Sequence, residues 1–219
     1  MGINDTSLGL LEYVFQTTPP KSVLELGAQR FYQPYPGVPY EGYASTYYQR
    51  KGVTSYRCID LNGENGALQL DLSQPQTIPP ADLVTDFGTS EHVAAFTVDQ
   101  EHAANDHLND TWKHQDGHLA GMEAFYNCWT TKYRASSHLI ASCNPAAGHW
   151  PKHGHFYYTE PFYTALCSLT GMQPIVLTTR AALGNAVSGK EVCSLLDVRG
   201  SHWISLTEFK TAFEYISPV

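Results

Sequence analysis

Apolar positions along this chain follow two alternating patterns. Leu8, Leu11 and Phe15 recur on one face, flanked by Leu10 and Val14, so the spacing predicts an amphipathic helix over residues 7–17. Thr17 to Pro20 ends it, because a residue before proline avoids helical backbone. SVLEL at 22–26 is instead a short unbroken apolar run stopped by Gly27, and it reads as a buried strand. Three more short runs follow the same logic. TSYRCI at 54–59 ends at Asp60, ALQL ends at Asp71 after the turn LNGENG, and DLVTDF follows Pro79 and Pro80 and runs into Gly88. Between the first two strands, residues 30–43 are rich in Tyr, Pro and Gly and read as a loop, with a short helix expected at 44–51.

The second half repeats the alternation. Leu119, Met122, Tyr126, Trp129 and Tyr133 predict a long helix over 118–134, followed by a strand HLIAS at 138–142. A Gly, Pro and His loop covers 143–157. A helix is expected at 160–170, with Thr159 as cap, Pro161 in its first turn and Gly171 as its stop. PIVLTT and EVCSLLDV supply two last strands, and the tail from 205 to 219 reads as partly helical. Residues 98–117 hold many Asp, His, Asn and Gln without periodicity and read as an insertion or lid. Strands alternating with helices imply βαβ units and a parallel sheet. A terminal pair joined by a short loop implies one antiparallel strand.

Composition narrows the class. The 219 residues fit a single domain over 1–219, and 42% apolar content marks a globular chain. With 13 Lys+Arg against 21 Asp+Glu the net charge is −8, and no basic run attracts a phosphate backbone, so nucleic acid is excluded as the expected partner. No apolar run spans a bilayer, and the N-terminus lacks a basic region before its apolar stretch, so no membrane partner is expected. Five dispersed cysteines without Cys-x-x-Cys fit reduced thiols and a cytoplasmic location. GNAVSGK at 184–190 approaches a phosphate-binding loop, but Glu191 stands where Ser or Thr must hold magnesium, and a strand follows instead of a helix.

Open α/β sheets bind ligands beyond the carboxyl ends of their strands. The first strand delivers Gly27-Ala28-Gln29, where a residue without a side chain admits a ligand close to backbone. The second delivers Asp60, an acceptor-only carboxylate suited to ribose hydroxyls, with Leu61 beside it. The third delivers Asp71-Leu72, whose carboxylate and N–H can read an exocyclic amine and a ring nitrogen. The fourth delivers Asp86-Phe87-Gly88, then Thr89-Ser90-Glu91-His92-Val93. His149, His153 and His155 form a second polar group, whose spacing suits either zinc or substrate hydrogen bonding beside Trp150, Tyr157 and Tyr158. Seven aromatic residues between 31 and 48 either clamp a planar or sugar ring or pack over the sheet edge.

VLELGAQ, CIDLNG, LQLDLS and ADLVTDFGTSEHV, in that order, resemble the successive cofactor motifs of class I S-adenosylmethionine-dependent methyltransferases of the small-molecule type. The resemblance covers residues 20 to 180 or so. It implies a Rossmann-like, doubly wound, mostly parallel seven-stranded sheet with an antiparallel last strand and helices on both faces. It implies S-adenosyl-L-methionine as cofactor and a small-molecule or sugar-like acceptor. Glu25, Gly27, Ala28 and Gln29 would surround the amino-acid part of the cofactor, Asp60 would bind its ribose hydroxyls, and Leu61 would join the cofactor site. Asp71 and Leu72 would meet the adenine, with Asp86, Phe87 and Gly88 beside the sulfonium. His92 is the expected base or acceptor-orienting group with Glu91 as its partner, and His153 and His155 are the next candidates. The family's first motif has further glycines where this chain has Ala28-Gln29-Arg30-Phe31, so the loop must be wider or differently wound. Two rivals stand beside this reading. One is a metal-dependent hydrolase or lyase built on His149, His153 and His155. The other is a binding module of the same fold without catalysis.

Overall fold

A computed structural model describes residues 2–93, 115–149, 154–181 and 189–218. The first helix, α1 (Asp5–Thr17), is started by Asn4, whose side chain accepts from the N–H groups of Thr6 and Ser7, while the Ser7 hydroxyl closes a reciprocal capping box. A two-residue strand, β1 (Gly2–Ile3), precedes it. The chain then runs through β2 (Ser22–Leu26), β3 (Arg30–Phe31), α2 (Ala44–Arg50), β4 (Ser55–Ile59) and β5 (Ala81–Asp86). Beyond the undescribed stretch come α3 (Gln115–Arg134), β6 (Ser136–Pro145), β7 (Phe156–Tyr157) and α4 (Glu160–Thr170). The chain closes with β8 (Gln173–Ala181), β9 (Lys190–Asp197), α5 (Leu206–Phe213) and β10 (Ser217–Pro218). Thr159 caps α4, proline lies in its first turn, and Gly171 ends it in the left-handed conformation, as its sequence implies.

The main sheet has six strands in the order β4-β2-β5-β6-β9-β8. β2 runs parallel to β4 and β5, and β5 parallel to β6. β9 lies antiparallel between β6 and β8. The chain moves outward from β2 to β4, then returns to place β5 on the other side of β2. The carboxyl ends of β2 and β5 therefore flank a topological switch point, where open sheets of this kind form a crevice.

The sheet differs from expectation at its edge. ALQL does not form a seventh strand: only Leu68 bridges in parallel to Ile59, with its N–H on Cys58 O at 2.8 Å. Gly63, Asn65 and Gly66 wind left-handed turns just before it, and Pro75, Pro79 and Pro80 cannot donate to a ladder just after it. Leu72 and Ile78 instead turn inward and are buried. At the other end β6 runs to Pro145, three residues beyond the expected stop, because β9 pairs with it through Glu191.

Each face of the sheet buries its own core. Leu24, Leu26, Val84, Ile140 and Leu196 pack with Phe125, Trp129, Phe162 and Phe209 from α3, α4 and α5. Val23, Leu83, Ala141 and Leu195 pack with Leu11, Val14, Tyr47 and Tyr48 from α1 and α2. The aromatic residues between 31 and 48 belong largely to this second core, with Phe31, Tyr47 and Tyr48 buried. The expected lid at 98–117 lies almost wholly outside the described residues, as does most of GNAVSGK.

Candidate active site

Short hydrogen bonds join the loops that leave β2, β4 and β5. Gly27 sits at φ +78°, and a Cβ there would lie 2.5 Å from both Gln29 Nε2 and Thr89 Oγ1, so the position requires glycine on two counts. Ala28 N–H donates to Asp60 Oδ2 at 2.9 Å. Gln29 Nε2 donates to Leu26 O at 3.0 Å and to Thr89 Oγ1 at 2.8 Å, and the Thr89 hydroxyl donates to Leu26 O. Gln29 Oε1 is left buried with no hydrogen-bond partner among the described residues. Glu25 lies beneath this loop, fully buried. Its Oε2 accepts from Gln29 N–H at 3.2 Å and from the Tyr56 hydroxyl at 2.7 Å. Burial pushes its acid up to about 8, against the opposing pull of those two donors.

The loop after Gly27 is wound differently from a glycine-rich turn. Arg30 and Phe31 leave to pair with Gly2 and Ile3, and the chain comes back only at Ala44, whose N–H donates to Gln29 O at 2.9 Å. The excursion carries Tyr43 to the rim of the crevice. There its hydroxyl and Arg30 Nη2 both donate to Glu64 Oε2, at 2.9 and 3.0 Å. Asp60, half-buried beside that rim, accepts from Asn62 N–H through Oδ1 and keeps lone pairs on both oxygens. Leu61 next to it is 47% exposed, an uncovered apolar surface. Asp71 is exposed and accepts from Ser73 N–H at 2.9 Å, while the side chains of Leu72 and Phe87 are buried in the two cores. Gly88 turns the chain at φ +83°.

The β5 end is a different environment. Asp86 is fully buried. Oδ1 accepts from the N–H groups of Thr89 and Ser90, and Oδ2 from the Ser90 hydroxyl and from Lys132 Nζ at 2.8 Å. Burial alone would raise this acid, but the Lys132 ammonium and the Ser90 donors outweigh it and hold Asp86 below the usual carboxylate value. Lys132 is itself fully buried, with its Nζ 3.4 Å from the centroid of the Trp129 ring. Ser90 also contacts the Tyr158 hydroxyl, and Asn144 Nδ2 reaches Glu91 Oε2 at 3.1 Å.

Glu91 and His92 occupy a short 3-10 turn, Ser90–His92. Glu91 is buried, and burial, aided by the nearby Asp86 charge, pushes its acid up to about 8. It is therefore a neutral acid at pH 7 rather than a carboxylate. His92 is about a third exposed, with Nε2 3.7 Å from Glu91 Oε1. His155 donates its N–H to Glu91 O at 2.7 Å, and burial pushes its imidazole down to about 4. Gly154 makes this approach possible, since a Cβ there would lie 2.8 Å from Glu91 Cγ. His153 lies outside the described residues. Among the described residues the histidines form no metal-binding group.

Sequence reading missed Lys132 and Asn144, placed Ser90 only as part of the loop after the fourth strand, and took Tyr158 only as an apolar wall. Lys132 did leave a signal: it falls three residues after Trp129 and four after Cys128, on the stripe that α3 buries. A charge there implies a buried counter-ion. Asn144 left none, because it fell in the stretch 143–157 read as loop.

No family model matches the chain, and neither does any curated protein sequence. Among solved structures, it is similar to a 1,6-didemethyltoxoflavin-N1-methyltransferase of Burkholderia thailandensis, solved with 1,6-didemethyltoxoflavin and S-adenosylhomocysteine. The TM-score is 0.51 at 12% identity, covering 88% of this chain and 76% of that one. It is also similar to the N-methyltransferase NodS of Bradyrhizobium japonicum WM9, with TM-score 0.46, 9% identity, and 88% and 94% of the two chains covered. An rRNA methylase of Escherichia coli aligns with TM-score 0.39, 13% identity, and 86% and 62% coverage. The first of these likenesses establishes a shared α/β fold.

Proposed function

We propose that this protein is an S-adenosyl-L-methionine-dependent methyltransferase acting on a small-molecule or sugar-like acceptor. The observation that carries the proposal is the joining of the loops after β2, β4 and β5 through Ala28, Asp60, Gln29 and Thr89, at the switch point of a sheet shared with a methyltransferase. When bound, the cofactor brings its own leaving group, so positioning supplies much of the acceleration.

The residues present fit that group. Asp60 accepts from the ribose hydroxyls with the lone pairs it retains, and Leu61 offers its exposed apolar surface to the adenine. Asp71 and Leu72 read the adenine edge. Gln29 Oε1 would accept a hydrogen bond from the cofactor's ammonium group, with Glu25 bracing Gln29 from below. Asp86, Phe87 and Gly88 form the floor, immobilised by Lys132. His92 is the proton acceptor or orienting group for the incoming substrate, with Glu91, whose Oε1 lies 3.7 Å from His92 Nε2, as its partner. His155, with its lowered pKa, orients rather than deprotonates at neutral pH. The net charge of −8 favours a small acceptor over nucleic acid, and the five free cysteines fit a cytoplasmic setting. No helix among the described residues is long and apolar enough to cross a membrane.

Calorimetric titration of the full chain with S-adenosylmethionine and S-adenosylhomocysteine tests the reading. Binding of both is expected, and Asp60→Ala weakens it by about 1–3 kcal/mol as the hydroxyls lose a charged acceptor. Absence of heat with either ligand on folded protein would establish the non-catalytic reading instead. With an acceptor found by methyl-transfer screening, His92→Ala lowers turnover and leaves cofactor affinity intact. Undiminished turnover would move the base to His153.

A further inference from the structure

The sheet face that packs on α1 and α2 carries a second polar group, separate from the crevice. Cys143 on β6 and Cys193 on β9 are direct partners in antiparallel register, with their sulfurs 3.0 Å apart. Glu191 lies two residues before Cys193, hence on the same face. One donor atom from each of the three lies within 4.8 Å of the others, and all three residues are buried. Asn4 Nδ2 donates to Glu191 Oε1 at 2.8 Å and fixes the carboxyl group. Glu191 Oε2 is buried, the residue being only 5% exposed, and finds no hydrogen-bond partner among the described residues. A carboxyl group confined this way is costly unless something binds it.

We propose that Cys143, Cys193 and Glu191 bind one thiophilic divalent cation of the zinc class. Two thiolates and one carboxylate are a donor set for such an ion, and the fourth tetrahedral position falls to water. Binding parts the sulfurs from 3.0 Å to about 3.8 Å, the separation that tetrahedral Zn–S bonds of about 2.3 Å impose. Both thiols release their protons to solvent as the ion enters, and the ion replaces them as the charge that compensates the buried sulfurs. The site would pin β6 to β9 and, through Asn4, the start of α1 to both. It stands independently of the methyl-transfer reading, since its three residues belong to β6 and β9 and none is assigned to cofactor or acceptor.

The test uses the full chain purified without a polyhistidine tag, under reducing conditions, and stripped with a chelator. Zn²⁺ is titrated against a chromophoric chelator, and Co²⁺ is followed by absorption. The site predicts one equivalent of either ion and a thiolate-to-cobalt charge-transfer band that Cys143→Ser and Cys193→Ser each diminish. Glu191→Gln, nearly isosteric and expected to fold, weakens Zn²⁺ binding by more than about tenfold while the sulfur band persists. Folded wild-type protein that takes up no stoichiometric metal would overturn the proposal. So would metal affinity unchanged in all three variants, or an intact mass two hydrogens light, which would make the pair a disulfide.

Discussion

Glu25 and Asp86 are two fully buried carboxyl groups on neighbouring strands, one residue out of step and therefore on opposite faces of the sheet. They meet burial in opposite ways. Asp86 has a buried ammonium at 2.8 Å and backbone N–H donors from Thr89 and Ser90, and it stays charged. Glu25 has a phenol and one backbone N–H, and its acid rises to about 8. Burial sets the same penalty on both, and the partners decide whether proton or cation neutralises it. The floor of the crevice is thus held by a carboxylate that stays charged through the neutral range. The first loop rests on an acid that titrates close to it.

The largest way to break this contrast is Lys132→Met. It strands the Asp86 charge in the core, and removing one partner of such a pair costs about 3–5 kcal/mol. Urea denaturation at pH 7 measures it. The double variant Asp86→Asn/Lys132→Met recovers most of the loss, because no uncompensated charge remains. A single variant as stable as wild type would mean that Asp86 is neutral already.

How much of this was legible beforehand varied by residue. Gly27, Asp60 and Gly88 were readable because strand ends are marked by abrupt changes from apolar runs to turn residues, and the crevice follows from strand ends alone. Helix α4 was readable from Thr159, Pro161 and Gly171, each acting locally on its own backbone. The ion pair was not, because Asp86 and Lys132 are 46 positions apart and only the register of α3 on the sheet joins them. The fate of ALQL was hidden for a related reason: its apolar pattern fits a strand, but turns and prolines outside it deny it a ladder. Cys143 and Cys193 looked dispersed in sequence because antiparallel pairing, not proximity, makes them neighbours.

A smaller effect sharpens the comparison through pH. Glu25 has its acid at about 8 in the fold against an ordinary 4.5, so the native state holds the proton longer. Its contribution to stability is complete below pH 4.5 and is lost as pH rises toward 8, at up to about 1.4 kcal/mol per unit. Glu91, also near 8, acts in the same direction, whereas His155, pushed down to about 4, lowers stability as pH falls below 6.5. Glu25→Gln should remove one share of the alkaline decline and leave the acid side unchanged. Denaturation midpoints at pH 5 and pH 9 provide the measurement, and parallel profiles for variant and wild type would mean that Glu25 is already ionised at pH 5.

Tyr56→Phe is the gentlest probe of the same group. At pH 6 the Glu25 acid is neutral and loses one neutral hydrogen bond, for a cost of about 1 kcal/mol. At pH 9 it is charged, the lost bond is charge-assisted, and the cost rises to about 1.5–3 kcal/mol. Because the Tyr56 hydroxyl is one of the donors that lower Glu25, its removal also moves the alkaline decline to higher pH. Asp86 gives no comparable signature, since Lys132 rather than a neutral donor neutralises it. The cost should therefore grow with pH for Tyr56→Phe and stay level between pH 6 and pH 9 for Asp86→Asn/Lys132→Met, where no carboxyl group remains to take up a proton, and equal pH dependence in the two variants would erase the distinction between the faces.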